Sequence, residues 1–369
     1  MHEMLSTPRT VLRGALLAAL GLLTPACADI TYFAHVTRGQ LAIAHARAPL
    51  DRVDAAPTTD AKLAARLRLA RDARRFAIEH LGLPDNRSYT TYVDLHRPYV
   101  VWNVFAAPRY SIDPVLHCFP IAGCVPYRGY FDEAKAKKAA STLEADGNDV
   151  FVGGVAAYST LGWFADPILS SMLRWDDDEL SGTIFHELAH QRIYVKDDTT
   201  FNESFATFVQ REGLREWRAA RGLSTGNAED ERHDDEFVRL VLELRERLRV
   251  LYAGLRGSNE VERSKRREFE DFRSRYAAWR DSRRPADHTR DAFVASPLNN
   301  ATLLPFGLYD QSVPAFAALF REEDGNWSKF YERVRAIAAK TSQQRKQVID
   351  GLLDLEKASP QFTPRGTHE

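Results

Sequence analysis

Residues 186–190 read His186-Glu187-Leu188-Ala189-His190. On a helix, positions i and i+4 lie on one face a turn apart, so the two imidazoles can share one divalent ion. Zinc accepts imidazole nitrogen at roughly 2.0–2.1 Å, and two such His supply half of a tetrahedral set. Glu187 then sits beside the open position, placed to take a proton from an attacking water. The flanks support a helix. Asp176, Asp177 and Asp178 offer N-terminal caps and negative charge for the positive end of the helix dipole. Projected at about 100° per residue, Leu180, Ile184, Phe185, Leu188 and Ala189 cover one arc. Thr183, His186, Glu187, His190 and Tyr194 cover most of the other. No Lys or Arg occurs in the segment before Arg192, so it reads as a buried helix whose ionisable groups need a partner.

The third ligand comes from the next segment, Thr200-Phe201-Asn202-Glu203-Ser204-Phe205-Ala206. Lys196, Asp197 and Asp198 turn the chain, and a second helix starts near Thr199 or Thr200. Its apolar face is Phe201, Phe205, Phe208 and Val209. Glu203 points the other way, with the small Ala206 beside it. That suits a carboxylate reaching a metal held by the preceding helix. The competing reading is local: Thr200 and Glu203 have the spacing of a capping box, in which Glu203 would only close its own helix.

The pair of strings resembles the gluzincin metallopeptidases, and NESFA is similar to a segment of the zinc aminopeptidases, although their gap between second His and Glu is longer. A fuller resemblance is to a family of bacterial predicted aminopeptidases, often lipoproteins. It is carried by His186 to Lys196, Phe201 to Ala206, Ala157 to Phe164, Pro120 to Tyr130 and Pro297 to Ala301. The resemblance implies His186, His190 and Glu203 as ligands of one zinc ion per chain and Glu187 as base and proton shuttle. It also implies a donor for the developing oxyanion, often Tyr or His. Tyr158 is the first candidate and Tyr309 the second. Asp197 or Asp198 are candidates to orient a ligand His from behind.

Around this centre the chain reads as α+β and mostly helical, with a small zincin-like sheet packed on the His186–His190 helix. Helices are expected over Phe33–Ala48, Lys62–Leu81 and Phe131–Ala145. Tyr89–Leu95 and Tyr99–Phe105 read as two paired strands, and Asp149–Val155 as another. Pro108–Arg128 reads as a loop. Glu229–Leu255 and a helix opened by a capping box at Asn259 and Glu262 form a long C-terminal hairpin with a solvated outer face.

The ends and the composition bound the rest. Arg9 and Arg13 precede an apolar run, Gly14 to Leu23, then Thr24-Pro25-Ala26-Cys27-Ala28. This is the pattern of a signal peptide over residues 1–28, its apolar run too short to span a bilayer. Two processing routes fit: lipidation at Cys27, or cleavage after Ala28. The remainder reads as one metallopeptidase domain over 29–360 with a tail at 361–369. Cys118 and Cys124 can close a short disulfide loop in an oxidising compartment. With 44% hydrophobic and 27% charged residues the composition is that of a globular protein. A net charge of -1 gives no electrostatic case for nucleic acid. The expectation is therefore an exported hydrolase acting on peptides, periplasmic or lipid-anchored to the cell envelope. Zinc aminopeptidase leads, ahead of zinc endopeptidase or cell-wall amidase. A non-catalytic binding or scaffold protein with a structural zinc is the reading from another class.

Overall fold

The computed structural model describes residues 30–119, 123–157, 160, 164–225, 228–254, 258–283, 287–306 and 312–358. Residues 1–28 with Cys27, the tail at 361–369, Tyr158 and Tyr309 lie outside them. The chain divides between Arg47 and Ala48 into two compact units. In the first, helix α1 runs over residues 30–45, ending a turn earlier than its composition suggests.

The second unit opens with β1 (Ala48–Pro49), α2 (Leu50–Asp54) and α3 (Ala61–Glu79). The Asp60 carboxylate caps α3 by accepting from the backbone N–H groups of Lys62 and Leu63. Strands β2 (Thr91–Val93) and β3 (Val101–Pro108) follow. They are not partners, contrary to the sequence reading. β2 lies between β1 and β8, and β3 lies between β6 and β7. The cause is local: His96 has φ 51°, and Arg97-Pro98 follows, so the chain leaves one sheet before it enters the other.

Two short strands, β4 (His117–Phe119) and β5 (Gly123–Val125), occupy what reads in sequence as a loop. They pair antiparallel with Cys118 opposite Cys124, and these two form a disulfide. Then come β6 (Tyr127–Tyr130), α4 (Glu133–Ala145) and β7 (Asn148–Val155). β3 is buried on both faces, with successive side chains packing to opposite sides. Trp102, Val104 and Ala106 face Ala136 and Ala140 of α4, whereas Phe105 and Ala107 face Ala301 and Leu304. The larger sheet is therefore covered on both sides, and α4 is its packing helix.

After β8 (Ile168–Leu169) come α5 (Asp177–Arg192) and α6 (Thr199–Ala220). Asp176 caps α5 through the Glu179 N–H, and Leu180, Ile184, Phe185, Leu188 and Ala189 are all fully buried. The main partners of α5 are α6 and α3 rather than a sheet face. Its link to the sheet region is polar. The Gln191 amide donates to Asp166 Oδ2 (3.2 Å) and accepts from Asn86 Nδ2 (2.7 Å).

The C-terminal half is helical: α7 (Ala228–Gly254), α8 (Ser258–Asp281), α9 (Asp291–Ala295), α10 (Val313–Glu322), α11 (Trp327–Ala338) and α12 (Ser342–Ala358). Phe237, Val241, Leu244 and Leu248 of α7 pack with Phe269, Phe272 and Tyr276 of α8. The capping box expected at Asn259 and Glu262 is not how Glu262 is used. Its carboxylate accepts from Arg109 Nε and Tyr110 OH. The apolar face of α6 meets α10 and α11, with Phe201 and Phe205 against Phe316 and Phe208 against Phe320 and Phe330. Burying that face turns Glu203 toward α5.

Candidate metal centre

His186 and His190 are one turn apart on α5, 9% and 6% exposed, and Glu203 reaches them from the second turn of α6. The three side chains form a group that could hold a metal ion. Their facing atoms are His186 Nε2, His190 Nε2 and Glu203 Oε2. The separations are 3.1 Å between the two nitrogens, 3.3 Å from His186 to Glu203 and 3.5 Å from His190 to Glu203. A tetrahedral ion at roughly 2.0–2.1 Å from each ligand requires separations of about 3.3–3.4 Å. The donor set fits a small divalent cation.

The α6 N-terminus is capped by another residue than the capping-box reading needs. Asp198, not Thr200, caps the helix, accepting from the Phe201 N–H (3.2 Å). Glu203 is left to face the imidazoles. Asp198 also pairs with Arg345, and Asp197 Oδ1 accepts from the Cys124 N–H (2.8 Å). These two acids thus fix the turn between α5 and α6. Behind His186 stands Gln210, whose Oε1 lies 3.1 Å from His186 Nδ1. His190 Nδ1 is buried without a hydrogen-bond partner among the described residues.

The charges are strongly coupled. Burial alone would raise the Glu203 carboxyl, but the fields of His190 and His186 and hydrogen bonds to both hold it well below the usual carboxylate range. Burial alone would lower His190, and the Glu203 carboxylate reverses this, leaving its pKa raised. Glu187, half-buried next to His186, is pushed up by burial first. Glu203 adds to the rise, while His186 and His190 oppose it.

Tyr194, just past α5, escaped the sequence reading as a candidate donor. Its ring centroid lies 6.4 Å from that of His190. Burial, then Glu203 and Asp197, raise its pKa, so it keeps its proton. The signal was available, since Tyr194 projects on the same arc as both His. Tyr158 and Tyr309 lie outside the described residues. Thr160 donates through N–H (3.1 Å) and Oγ1 (2.8 Å) to the Asp166 carboxylate, which Gln191 also holds.

A family profile described as "Putative aminopeptidase" matches residues 31–349. The chain belongs to this family. No curated protein and no solved structure matches it. The match takes in α5 and α6 with all three ligand candidates, the disulfide hairpin β4–β5 and most of the C-terminal helices. Membership of the aminopeptidase family points to peptidase activity, and the convergence of His186, His190 and Glu203 gives that activity a candidate centre.

Proposed function

We propose that the chain is a zinc-dependent aminopeptidase of the bacterial cell envelope. The observation that carries this reading is the triangle of His186 Nε2, His190 Nε2 and Glu203 Oε2, spaced as the ligands of one tetrahedral zinc ion. A zinc ion held there would polarise the scissile carbonyl and make water nucleophilic at neutral pH.

The chain's own residues do the rest. The Glu187 carboxylate takes the proton of the attacking water and returns it to the leaving amine. Its raised pKa makes it a stronger base for the first half of that transfer. The oxyanion needs a donor that stays protonated, and Tyr194 answers that description. Tyr158 is the second candidate. A purely structural zinc centre would have no use for the Glu187 carboxyl beside the metal, which favours catalysis over a scaffold role. The Cys118–Cys124 disulfide supports an oxidising compartment, hence export, with the protein either soluble in the periplasm or lipid-anchored at Cys27. Among the described residues no helix is long and apolar enough to cross a membrane.

The test compares wild type with Glu187→Gln on a peptide library with free and blocked N-termini, read by mass spectrometry. The expected result is trimming of free N-termini only, with the variant slowed at least ~10²-fold. Internal cleavage, or cleavage indifferent to N-terminal blocking, would replace aminopeptidase by endopeptidase or amidase. Equal rates for the two proteins would remove Glu187 from the mechanism.

A further inference from the structure

We propose that Gln210 is the positioning residue of the metal centre, setting the tautomer and ring plane of His186. The inference rests on the zinc reading and goes beyond it, since it assigns a role to a neutral residue on the helix that also carries Glu203. Imidazole has one proton to place when neutral, and a ring that binds a metal through Nε2 must carry it on Nδ1. In this structure His186 Nδ1 faces Gln210 Oε1 at 3.1 Å, and Nε2 faces Glu203 and His190. With the carbonyl oxygen turned to the ring, Nδ1–H donates and Nε2 keeps its lone pair for the ion. The opposite amide orientation would offer an N–H to Nδ1, drive the proton to Nε2 and block the ligand atom.

A second observation shows that the helix crossing is built around this side chain. Gly182, one turn before His186 on α5, faces Gln210 and Leu214 of α6. A Cβ at Gly182 would come within 3.1 Å of Gln210 Cγ, 3.2 Å of Gln210 Nε2 and 2.8 Å of Leu214 Cδ1. The glycine sits in the middle of a 16-residue helix, where it costs helix stability relative to alanine. What it gains is close approach of α6, with room for the Gln210 side chain between the helices. Gln210 also lies two helical turns after Glu203, so one helix carries both a ligand and the support of another ligand.

The choice of an amide has a chemical consequence. Groups behind a metal-binding His commonly include carboxylates, which raise the ring's basicity and the affinity for metal. An amide fixes the same tautomer without adding a negative charge. The centre then holds Glu203 as its only anionic ligand among the described residues, leaving a bound cation more electrophilic.

The test is zinc affinity, measured by competition with a chromophoric chelator, for wild type, Gln210→Leu, Gln210→Glu and Gly182→Ala. Gln210→Leu should bind zinc about 10–100-fold more weakly. Gln210→Glu should bind at least as tightly as wild type, and Gly182→Ala should fall toward the Leu variant because it displaces the side chain. Metal-free melting temperatures identify any variant that loses affinity through misfolding. Nitrogen-15 NMR of the zinc-loaded wild type then gives a variant-free reading, with Nδ1 of His186 expected to be protonated and Nε2 metal-bound. Wild-type affinity in Gln210→Leu, or metal at Nδ1, overturns the role of Gln210 and leaves the zinc reading standing. No zinc binding by wild type overturns both.

Discussion

Replacing Arg345 by Met should destabilise the fold without touching a ligand. Arg345 is 5% exposed, and its Nε donates to Asp198 Oδ2 at 2.6 Å. A terminal nitrogen donates to the Lys340 carbonyl at 2.8 Å, and the guanidinium lies over the Phe201 ring at 5.6 Å. Asp198 in turn caps α6. Breaking a buried pair from one side costs about 3–5 kcal/mol, chiefly because the other charge is left uncompensated. Asp198 keeps 22% side-chain exposure and its helix-cap bond, which argues for the lower end, about 3 kcal/mol. Unfolding entropy of about 2.1 cal/mol/K per residue, over roughly 300 residues, makes this a Tm loss of about 5 °C. The assay is thermal denaturation of metal-free protein, with Asp198→Asn and the double variant completing a cycle. A coupling above about 1 kcal/mol is expected. A Tm drop under about 1 °C, or additivity within about 0.5 kcal/mol, would refute the claim that this pair holds the α6 N-terminus.

Gly123 has φ 78°, and a Cβ there would lie 2.2 Å from Asp197 Oδ1. Gly123→Ala should therefore lift the disulfide hairpin off the turn between α5 and α6, seen as faster limited proteolysis at residues 117–125 than in wild type. Tyr331 is fully buried and donates to the Leu81 carbonyl at 2.8 Å. Tyr331→Phe leaves that acceptor unpaired and should cost about 1–2 kcal/mol, read from chemical denaturation. Asp291 is lowered to about 2 by hydrogen bonds from Tyr276 and His288, with Arg280 adding to the effect. A depressed carboxyl contributes stability that is complete above its unfolded pKa of about 3.9 and is lost as pH falls toward 2. Asp291→Asn should therefore remove part of the loss of stability between about pH 4 and pH 2, followed by circular dichroism.

The sequence carried most of the centre because its signals there are local. The Asp176 cap, the unbroken apolar arc from Leu180 to Ala189 and the absence of basic residues mark α5 as a buried helix before any tertiary contact is known. Glu203 was legible as the odd residue on a helix whose aromatic positions fix the buried face. What escaped depends on contacts distant in sequence. Gln210 is an ordinary surface-helix residue until the notch at Gly182 brings it against His186. β2 and β3 were recognisable as extended, but their partners depend on a left-handed residue at His96 that composition does not announce. β4 and β5 are too short for a period to show. Asn259 and Glu262 have capping-box spacing, yet Glu262 is drawn to Arg109 and Tyr110, more than a hundred residues away.

Metal content tests the assignment of this centre most directly. Purified wild type, His190→Ala and Glu203→Ala would be equilibrated with zinc, dialysed and assayed for metal by mass spectrometry. About one zinc per chain is expected in wild type, as one tetrahedral site requires, and its loss in both variants with the fold retained. Wild type without zinc, or variants that hold it as well as wild type does, would contradict the assignment of this centre.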